Sequence, residues 1–359
     1  MFFESVTEEI KIFFYVLIPG IVTYLLVPLL KKLSYKFLLL DKPNFRKLHS
    51  KPIPNSGGIS IFISFLIGTL YLKNFTDIYF ESLYTFLFTS LLVLLIGLLD
   101  DLYNISAFIR LITQFLITTF IWSKGINISN LNFDYFNGGL NEIKIPDILS
   151  LFLTFFWISG TINAINWIDG LNGLATGITI LILIGIAKIA FYKNLIGLFS
   201  ISLILIGSSL GFLLHNLRSN NIIMGDNGSN FLGFQLSILS LYAGSNYKDI
   251  FYSSKLTIFP LIPILLMGFP LLDMTRVILK RVFSKSSPFL ADRNHFHHLL
   301  LDSNLSNSEI LFIVFSLTFY LISFSFLLTG IIYRMEIFVF ANFILLMNFI
   351  IFKRKLWNN

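Results

Sequence analysis

Cysteine is absent from the 359-residue chain, which excludes disulfides, thiolate catalysis and Cys-ligated metal. Charge is scarce: Asp, Glu, Lys and Arg make up 13% of the residues, about half the share of an ordinary soluble domain. With 55% hydrophobic residues and a mean hydropathy of +0.80, the chain cannot cover a soluble globule of its size with polar surface. Disordered chains are poor in aromatics, and 41 residues here are Phe. No cleavable leader is evident, because Glu4, Glu8 and Glu9 precede the first apolar run and no small-residue cleavage site follows it.

What is present is a series of apolar runs near the length that crosses a roughly 30 Å hydrocarbon core as helix. Lipid cannot satisfy open backbone, so these runs read as helices rather than alternating barrel strands. Eleven candidate spans follow: 10–30, 57–72, 83–99, 107–123, 147–166, 171–190, 195–215, 231–245, 256–272, 310–330 and 336–352. The expectation is an all-α polytopic membrane protein, one integral domain over 1–359, with 301–359 forming two C-terminal helices and a basic tail. Polar residues 124–146 suit a small loop or hairpin between spans. No internal repeat is evident, which weighs against an inverted-repeat transporter. The net charge of +7 fits topology better than nucleic-acid binding. Lys31, Lys32, Lys36, Lys42, Arg46, Lys47 and Lys51 follow the first span. Arg276, Lys280, Arg281, Lys285 and Arg293 follow the ninth, and Lys353, Arg354 and Lys355 end the chain. The positive-inside rule then sets the N-terminus outside and the C-terminus in the cytoplasm.

On that topology five polar clusters fall on the cytoplasmic face, which implies one site assembled from five connections. They are the stretch from Asp41 to Gly58, with Lys47 and His49; Asp100 and Asp101; Asn163, Asn166, Asp169 and Asn172; Asp226 within Gly225–Ser229; and Arg293, His295, His297 and His298. Two adjacent acids at a helix C-terminus sit against the negative end of the dipole and require a cation nearby. The Asn/Asp series recurs every three residues, a slowly drifting polar stripe on a helix, broken by Gly170 and Gly173. A Gly-flanked Asp at a helix start can meet phosphate only through a bridging divalent ion. Three His within four residues could mark zinc, but without Cys or an HExxH pattern a cationic phosphate pocket with Arg293 suits them better. Were that segment helical throughout, His295 and His298 would share a face and His297 would matter less.

The stretches DKPNFRKLHSKPIPNSGG, GLLDDLYNIS, NAINWIDGLNGLATG, MGDNGSNFLG and ADRNHFHHLL, in this order within 41–300, resemble the polyprenyl-phosphate N-acetylhexosamine-1-phosphate transferase family. This is the glycosyltransferase 4 family, and the last stretch resembles its undecaprenyl-phosphate GlcNAc-1-phosphate branch. That branch starts O-antigen lipopolysaccharide, enterobacterial common antigen and teichoic acid linkage units. The peptidoglycan MurNAc-pentapeptide translocase is a more distant alternative. The resemblance implies an eleven-helix bundle in the plasma membrane, Mg²⁺ or Mn²⁺ dependence, a UDP-N-acetylhexosamine donor and undecaprenyl phosphate as acceptor within membrane lipid. No nucleic-acid partner is implied, and a homodimer is allowed. Two departures stand out: Asn172 replaces the family's usual second Asp, and Arg218-Ser219-Asn220 stands where many relatives have Pro-Ala.

The resemblance further implies roles. Asp226 and Asn166 become metal ligands, with Asp101 assisting. Asp100 orients or deprotonates the lipid phosphate or shares the metal. Asp169, Asn172 and Asn216 surround the uridine, while Asn163 joins the substrate contacts. His295, His298 and Arg293, with His297, meet the sugar phosphate, and Lys47 and His49 meet the lipid phosphate or pyrophosphate. The rival from another class, a transporter of an anionic solute, would need its ionisable residues near the bilayer midplane.

Overall fold

A computed structural model of the chain describes residues 2–41, 43, 51–75, 81–132, 142–218, 222–245, 256–288, 292–331 and 333–357. Among them thirteen helices and five short strands occur in the order α1 (Phe2–Lys36), β1 (Leu40–Asp41), β2 (Ile53–Pro54), α2 (Gly57–Phe75), α3 (Glu81–Tyr103), α4 (Ala107–Ser123), β3 (Ile128–Asn132), β4 (Glu142–Lys144), α5 (Asp147–Ile168), α6 (Leu174–Tyr192), α7 (Ile196–Asn216), α8 (Gly225–Ala243), β5 (Leu256–Ile258), α9 (Leu261–Leu266), α10 (Gly268–Phe283), α11 (Phe296–Asp302), α12 (Asn307–Thr329) and α13 (Arg334–Trp357). Six are long and apolar enough to cross a membrane: Phe13–Lys36, Leu83–Tyr103, Asp147–Ile168, Leu174–Tyr192, Ile196–Asn216 and Asn307–Thr329. Two shorter apolar helices, Gly57–Leu72 and Ala107–Ser123, accompany them. The chain is a multi-pass, all-α membrane protein.

Six of the eleven expected spans correspond to the long apolar helices and two to the shorter ones, and the eighth and ninth differ in build. The eighth begins earlier than 231, at Gly225, because the polar GDNGS segment is itself the first turn of α8. The ninth, 256–272, is not one helix. It opens as strand β5, and two helices meet at Met267. Pro260, Pro263 and Pro270 each lack the N–H that a continuous ladder needs. The 124–146 segment does contain a hairpin: β3 pairs antiparallel with β4, while β5 adds in parallel on the other edge of β3.

α8 is the axis of the bundle. It contacts α2, α3, α5, α6, α7 and α9, and each of its residues except Asp226 is buried. It is also the most polar of these helices in its middle, so its groups are spent inside protein. Gln235 Nε2 donates to Ser90 Oγ on α3 at 2.7 Å, and Trp157 Nε1 on α5 donates to the Ser237 carbonyl at 2.9 Å. Phe231 and Phe234 interlock with Phe62, Phe65 and Phe86 of α2 and α3, ring centroids 5.4–6.3 Å apart. At its far end Lys193 Nζ donates to the Ala243 and Ser245 carbonyls at 3.0 and 2.9 Å. There a cation complements the negative end of the helix dipole.

α1 carries Pro28, which cannot donate to the Tyr24 carbonyl one turn back. His215 Nε2 of α7 reaches that carbonyl at 3.0 Å. A carbonyl only accepts, so this nitrogen carries the hydrogen. The α2 N-terminus is joined to the loop before α8 by backbone bonds: Ile223 N to Pro54 O, Gly57 N to Ile223 O and Gly58 N to Met224 O, at 2.9–3.1 Å. Here the two helix starts touch without side chains between them. A Cβ on Gly58 would lie 2.1 Å from the Gly228 Cα. Gly58→Ala therefore should cost at least the ~1–3 kcal/mol of an overpacked core site. It should read as a clear drop in thermal stability in detergent. Gly160→Ala, where the added Cβ meets only Met274 Cε at 3.9 Å, should be near neutral. Equal behaviour of the two variants would contradict this packing.

Candidate active site

One end of the bundle gathers the C-termini of α3, α5 and α7 with the N-termini of α2, α4, α6 and α8. The centre of this end is the start of α8. The residue before the helix, Met224, offers no side-chain cap, and the first amides of any helix lack partners. Asp101, at the end of α3, supplies them. Its Oδ1 accepts from the Asp226 amide at 3.0 Å, and its Oδ2 accepts from the Asn227 amide at 3.0 Å and from Asn227 Nδ2 at 2.6 Å. The cap is thus borrowed from another helix. Gly225, with φ +77, allows the approach, since a Cβ there would sit 2.9 Å from Asp101 Oδ2. Asn227 Nδ2 also donates to the Asn55 carbonyl at 2.7 Å, which ties the first polar cluster to the fourth.

The side chain of Asp226 faces the other way. Its Oδ1 accepts from Asn166 Nδ2 at 2.7 Å, and the same amide reaches Ser229 Oγ at 2.9 Å. Asp226 is the common electrostatic neighbour of Asp100, Asp101 and Asp169. Arg110 of α4 enters this group, its Nη1 2.8 Å from Asp100 Oδ2. Asp169 caps the end of α5. Burial, together with the charges of Asp226 and Asp41, pushes its carboxyl up to about 7. The hard oxygens of this group of carboxyls, with the Asn166 amide, suit a divalent ion such as Mg²⁺. Among the described residues no three His, Asp or Glu side chains enclose an ion by themselves. Mg²⁺ does not require that, since it keeps waters and substrate phosphates beside one or two carboxylates.

Several expected contact residues also hold the scaffold. Asn216 is buried between two loops, its Oδ1 accepting from Gly173 N at 2.6 Å and its Nδ2 donating to the Ile222 carbonyl at 3.0 Å. Asn163 Nδ2 is turned to the Ser159 carbonyl at 2.7 Å and Gln114 Oε1 at 3.3 Å. Asn172 lies partly covered in the turn between α5 and α6. Lys47 and His49 fall outside the described residues.

The His cluster stands on α10 and α11. Arg281, nearly fully buried, forks onto Asp292 with Nε–Oδ2 at 2.9 Å and Nη2–Oδ1 at 3.1 Å. Burial alone would raise Asp292, but this fork and the Asn294 donors hold it well below the usual carboxylate range. The Arg281 guanidinium lies 4.9 Å from the Trp167 ring centroid, and Trp167 meets His295 edge-on at 5.7 Å. Trp167 thereby joins the third polar cluster to the fifth. Arg293 is half exposed and paired with exposed Asp302 at 3.0 Å, a surface contact. The condition on which His295 and His298 would share a helix face, a segment helical throughout, is not met. His295 is the extended residue before α11, with φ −63 and ψ 150, so the helical spacing does not include it. The rings of His295 and His297 stack with centroids 6.0 Å apart, and those of His297 and His298 lie tilted at 40° with centroids 4.2 Å apart. His297 is 2% exposed, and its Nε2, without a partner, lies against Gly170.

Arg110, Trp167, Asp273 and Arg281 were not singled out from sequence as site residues. Arg110 stands in an apolar helix, Trp167 lies inside the third cluster, and Asp273 and Arg281 lie among other charges on α10, so neither spacing nor residue type sets them apart.

Burial, with the neighbouring His298 and His295, pushes His297 from 6.5 down to about 3. A histidine with a depressed value in the fold binds its proton more readily when unfolded. Its stabilising contribution is complete above 6.5 and is lost as pH falls toward 3. The difference in Tm between His297→Gln and the native chain should therefore rise steadily in favour of the variant from pH ~6.5 to ~4. A difference that stays flat across that window would contradict a buried neutral His297.

Residues 83–244 match the family model described as glycosyl transferase family 4. A probable undecaprenyl-phosphate N-acetylglucosaminyl 1-phosphate transferase of Bacillus subtilis (strain 168) is 34% identical over 320 residues, covering 88% of this chain and 84% of that protein. An undecaprenyl-phosphate alpha-N-acetylglucosaminyl 1-phosphate transferase of Salmonella typhi is 29% identical, covering 85% and 78%. A decaprenyl-phosphate N-acetylglucosaminephosphotransferase of Mycobacterium leprae is 28% identical, covering 83% and 79%. With a third of its residues shared with a relative along most of both chains, and its central helices matched by the family model, this chain belongs to glycosyl transferase family 4.

Proposed function

We propose that the chain transfers N-acetylglucosamine-1-phosphate from UDP-N-acetylglucosamine to undecaprenyl phosphate, releasing UMP, as the first lipid-linked step of an envelope glycan. The observation that carries this reading is the carboxylate group around Asp226 at one end of an otherwise apolar bundle, in a chain aligned with such transferases over most of its length. The domain is single over 1–359, the spans are eleven, and the polar end faces the cytoplasm, where UDP-sugars are made. The acceptor's polyprenyl tail stays in the bilayer, which accounts for a phosphotransferase that is nearly all membrane. A transporter would carry its ionisable groups at mid-helix, whereas Asp100, Asp101, Asp169 and Asp226 occupy helix ends.

In the reaction an oxygen of the lipid phosphate attacks the β-phosphorus of the UDP-sugar. The new P–O bond forms as the bond from that phosphorus to the oxygen bridging the α-phosphorus breaks, and UMP departs. Both reactants are anions, so the site must offset charge. Asp226, with Asn166 and Asp100 beside it, would hold a Mg²⁺, which when bound would offset charge on the pyrophosphate. Asp100, steered by Arg110, orients the lipid phosphate or takes its proton. Asp101 positions Asp226 through the α8 amides. Asp169 and Asn172 border the nucleotide in a turn clasped by Asn216. Arg293 and the three imidazoles face the sugar phosphate, and Lys47 and His49 serve the lipid phosphate.

The test is UMP release from UDP-N-acetylglucosamine and undecaprenyl phosphate by the purified chain, with and without Mg²⁺. Asp226→Asn should slow turnover by about 10- to 150-fold or more, the size of one or more charge-assisted interactions of ~1.5–3 kcal/mol each. It should also raise the Mg²⁺ concentration needed. Near-normal rates for the variant at low Mg²⁺ would sink the metal assignment.

A further inference from the structure

We infer that Asp273 is a positioning residue for His295, fixing its tautomer so that Nε2 alone is offered to the sugar phosphate. This rests on the transferase reading above. Asp273 lies in α10, 5% exposed, outside all five sequence clusters. Its carboxylate is fully committed to the segment that carries the imidazoles. Oδ2 is 2.8 Å from His295 Nδ1, and Oδ1 accepts from the Phe296 amide and from Arg276 Nη2, both at 2.9 Å. Phe296 is the first residue of α11, and His295 makes no side-chain cap of its own. Asp273 therefore caps α11 from a neighbouring helix with one oxygen and holds the imidazole with the other. Arg276 closes the arrangement by donating to the Asn294 carbonyl at 2.6 Å.

A carboxylate is an acceptor only, so the contact requires a hydrogen on His295 Nδ1. In the neutral ring that leaves Nε2 bare, and in the charged ring it leaves Nε2–H as the one free donor. The ring is flanked by Trp167, T-shaped to it with centroids 5.7 Å apart, and by His297, stacked at 6.0 Å and 17°. The same device, a buried Asp selecting the tautomer of a working His, operates in serine protease triads. An Asn at position 273 cannot reproduce it, because one of its two terminal atoms is a donor and would meet either His295 Nδ1–H or the Phe296 amide.

The test is a double-mutant cycle on the full chain in detergent. Asp273→Asn should lower kcat by about tenfold or more, the size of one charge-assisted bond lost in the transition state, with KM for UDP-N-acetylglucosamine little changed. In a His295→Ala background the same substitution should cost less than about threefold, because the two residues act as one unit. Equal losses in both backgrounds would overturn the inference and leave Asp273 a merely structural cap. A second measurement needs neither activity nor a variant at 273. In ¹⁵N-histidine-labelled native chain at pH ~8, above the ordinary His range, the resonance missing from His295→Ala should report a protonated Nδ1 and a bare Nε2. The opposite tautomer would overturn the inference whatever the chain catalyses. Absence of transfer alongside the expected tautomer would instead overturn the proposed function.

Discussion

The arrangement at the polar end depends on one carboxylate, that of Asp101, laid across the first amides of α8. A helix start buried in an apolar bundle has no water to satisfy its amides, and α8 brings no cap of its own. Asp101 satisfies two of them and the Asn227 side chain together. Its charge also lies at the positive end of the α8 dipole, as Lys193 lies at the negative end. A nearly fully buried helix is thus held by opposite charges from two other helices. Its one uncovered residue, Asp226, is presented toward Asp100, Asp169 and Asn166.

This arrangement divides the polar residues in two. Asp101, Asn227, Asn216 and the Arg281–Asp292 fork bond to backbone or to each other, and hold loops of different helices in register. Asp100, paired with Arg110, joins Asp169 and Asp226 in a group of neighbouring acids, and His297 and His298 keep unpartnered nitrogens. In the α3 pair DD, neighbouring identical residues fall into opposite groups: Asp101 turns to amides, while Asp100 turns to Arg110. Asp273 belongs to both groups at once, since it caps α11 and sets His295.

The five clusters were legible because dense polar residues stand out against long apolar runs, and their order along the chain carried the family. Most helices were legible for the same reason. The start of α8 was not, because GDNGS has the composition of a turn, yet Asp101 supplies from outside what makes it helical. The break at Met267 follows from three prolines within an apolar stretch that hydropathy alone reads as continuous. Helical spacing does not describe the imidazoles, because His295 is the extended residue before α11. The bonds Asn216 makes to two loops carry no sequence signal, because both partners are backbone groups. Arg110, Asp273 and Arg281 carry no local signal, since what makes them matter is a partner on another helix.

The proposed function requires a single site on one face of the membrane, the cytoplasmic one. Native Cys is absent, so single cysteines report without background. Ser303→Cys, exposed after α11 near the His cluster, and Lys144→Cys, exposed in the hairpin at the far end, can be probed in intact cells and in inverted vesicles with a membrane-impermeant maleimide. The account predicts that Ser303→Cys labels only from the cytoplasmic side and Lys144→Cys only from outside. Labelling of both from the same side, or the reverse assignment, would contradict it.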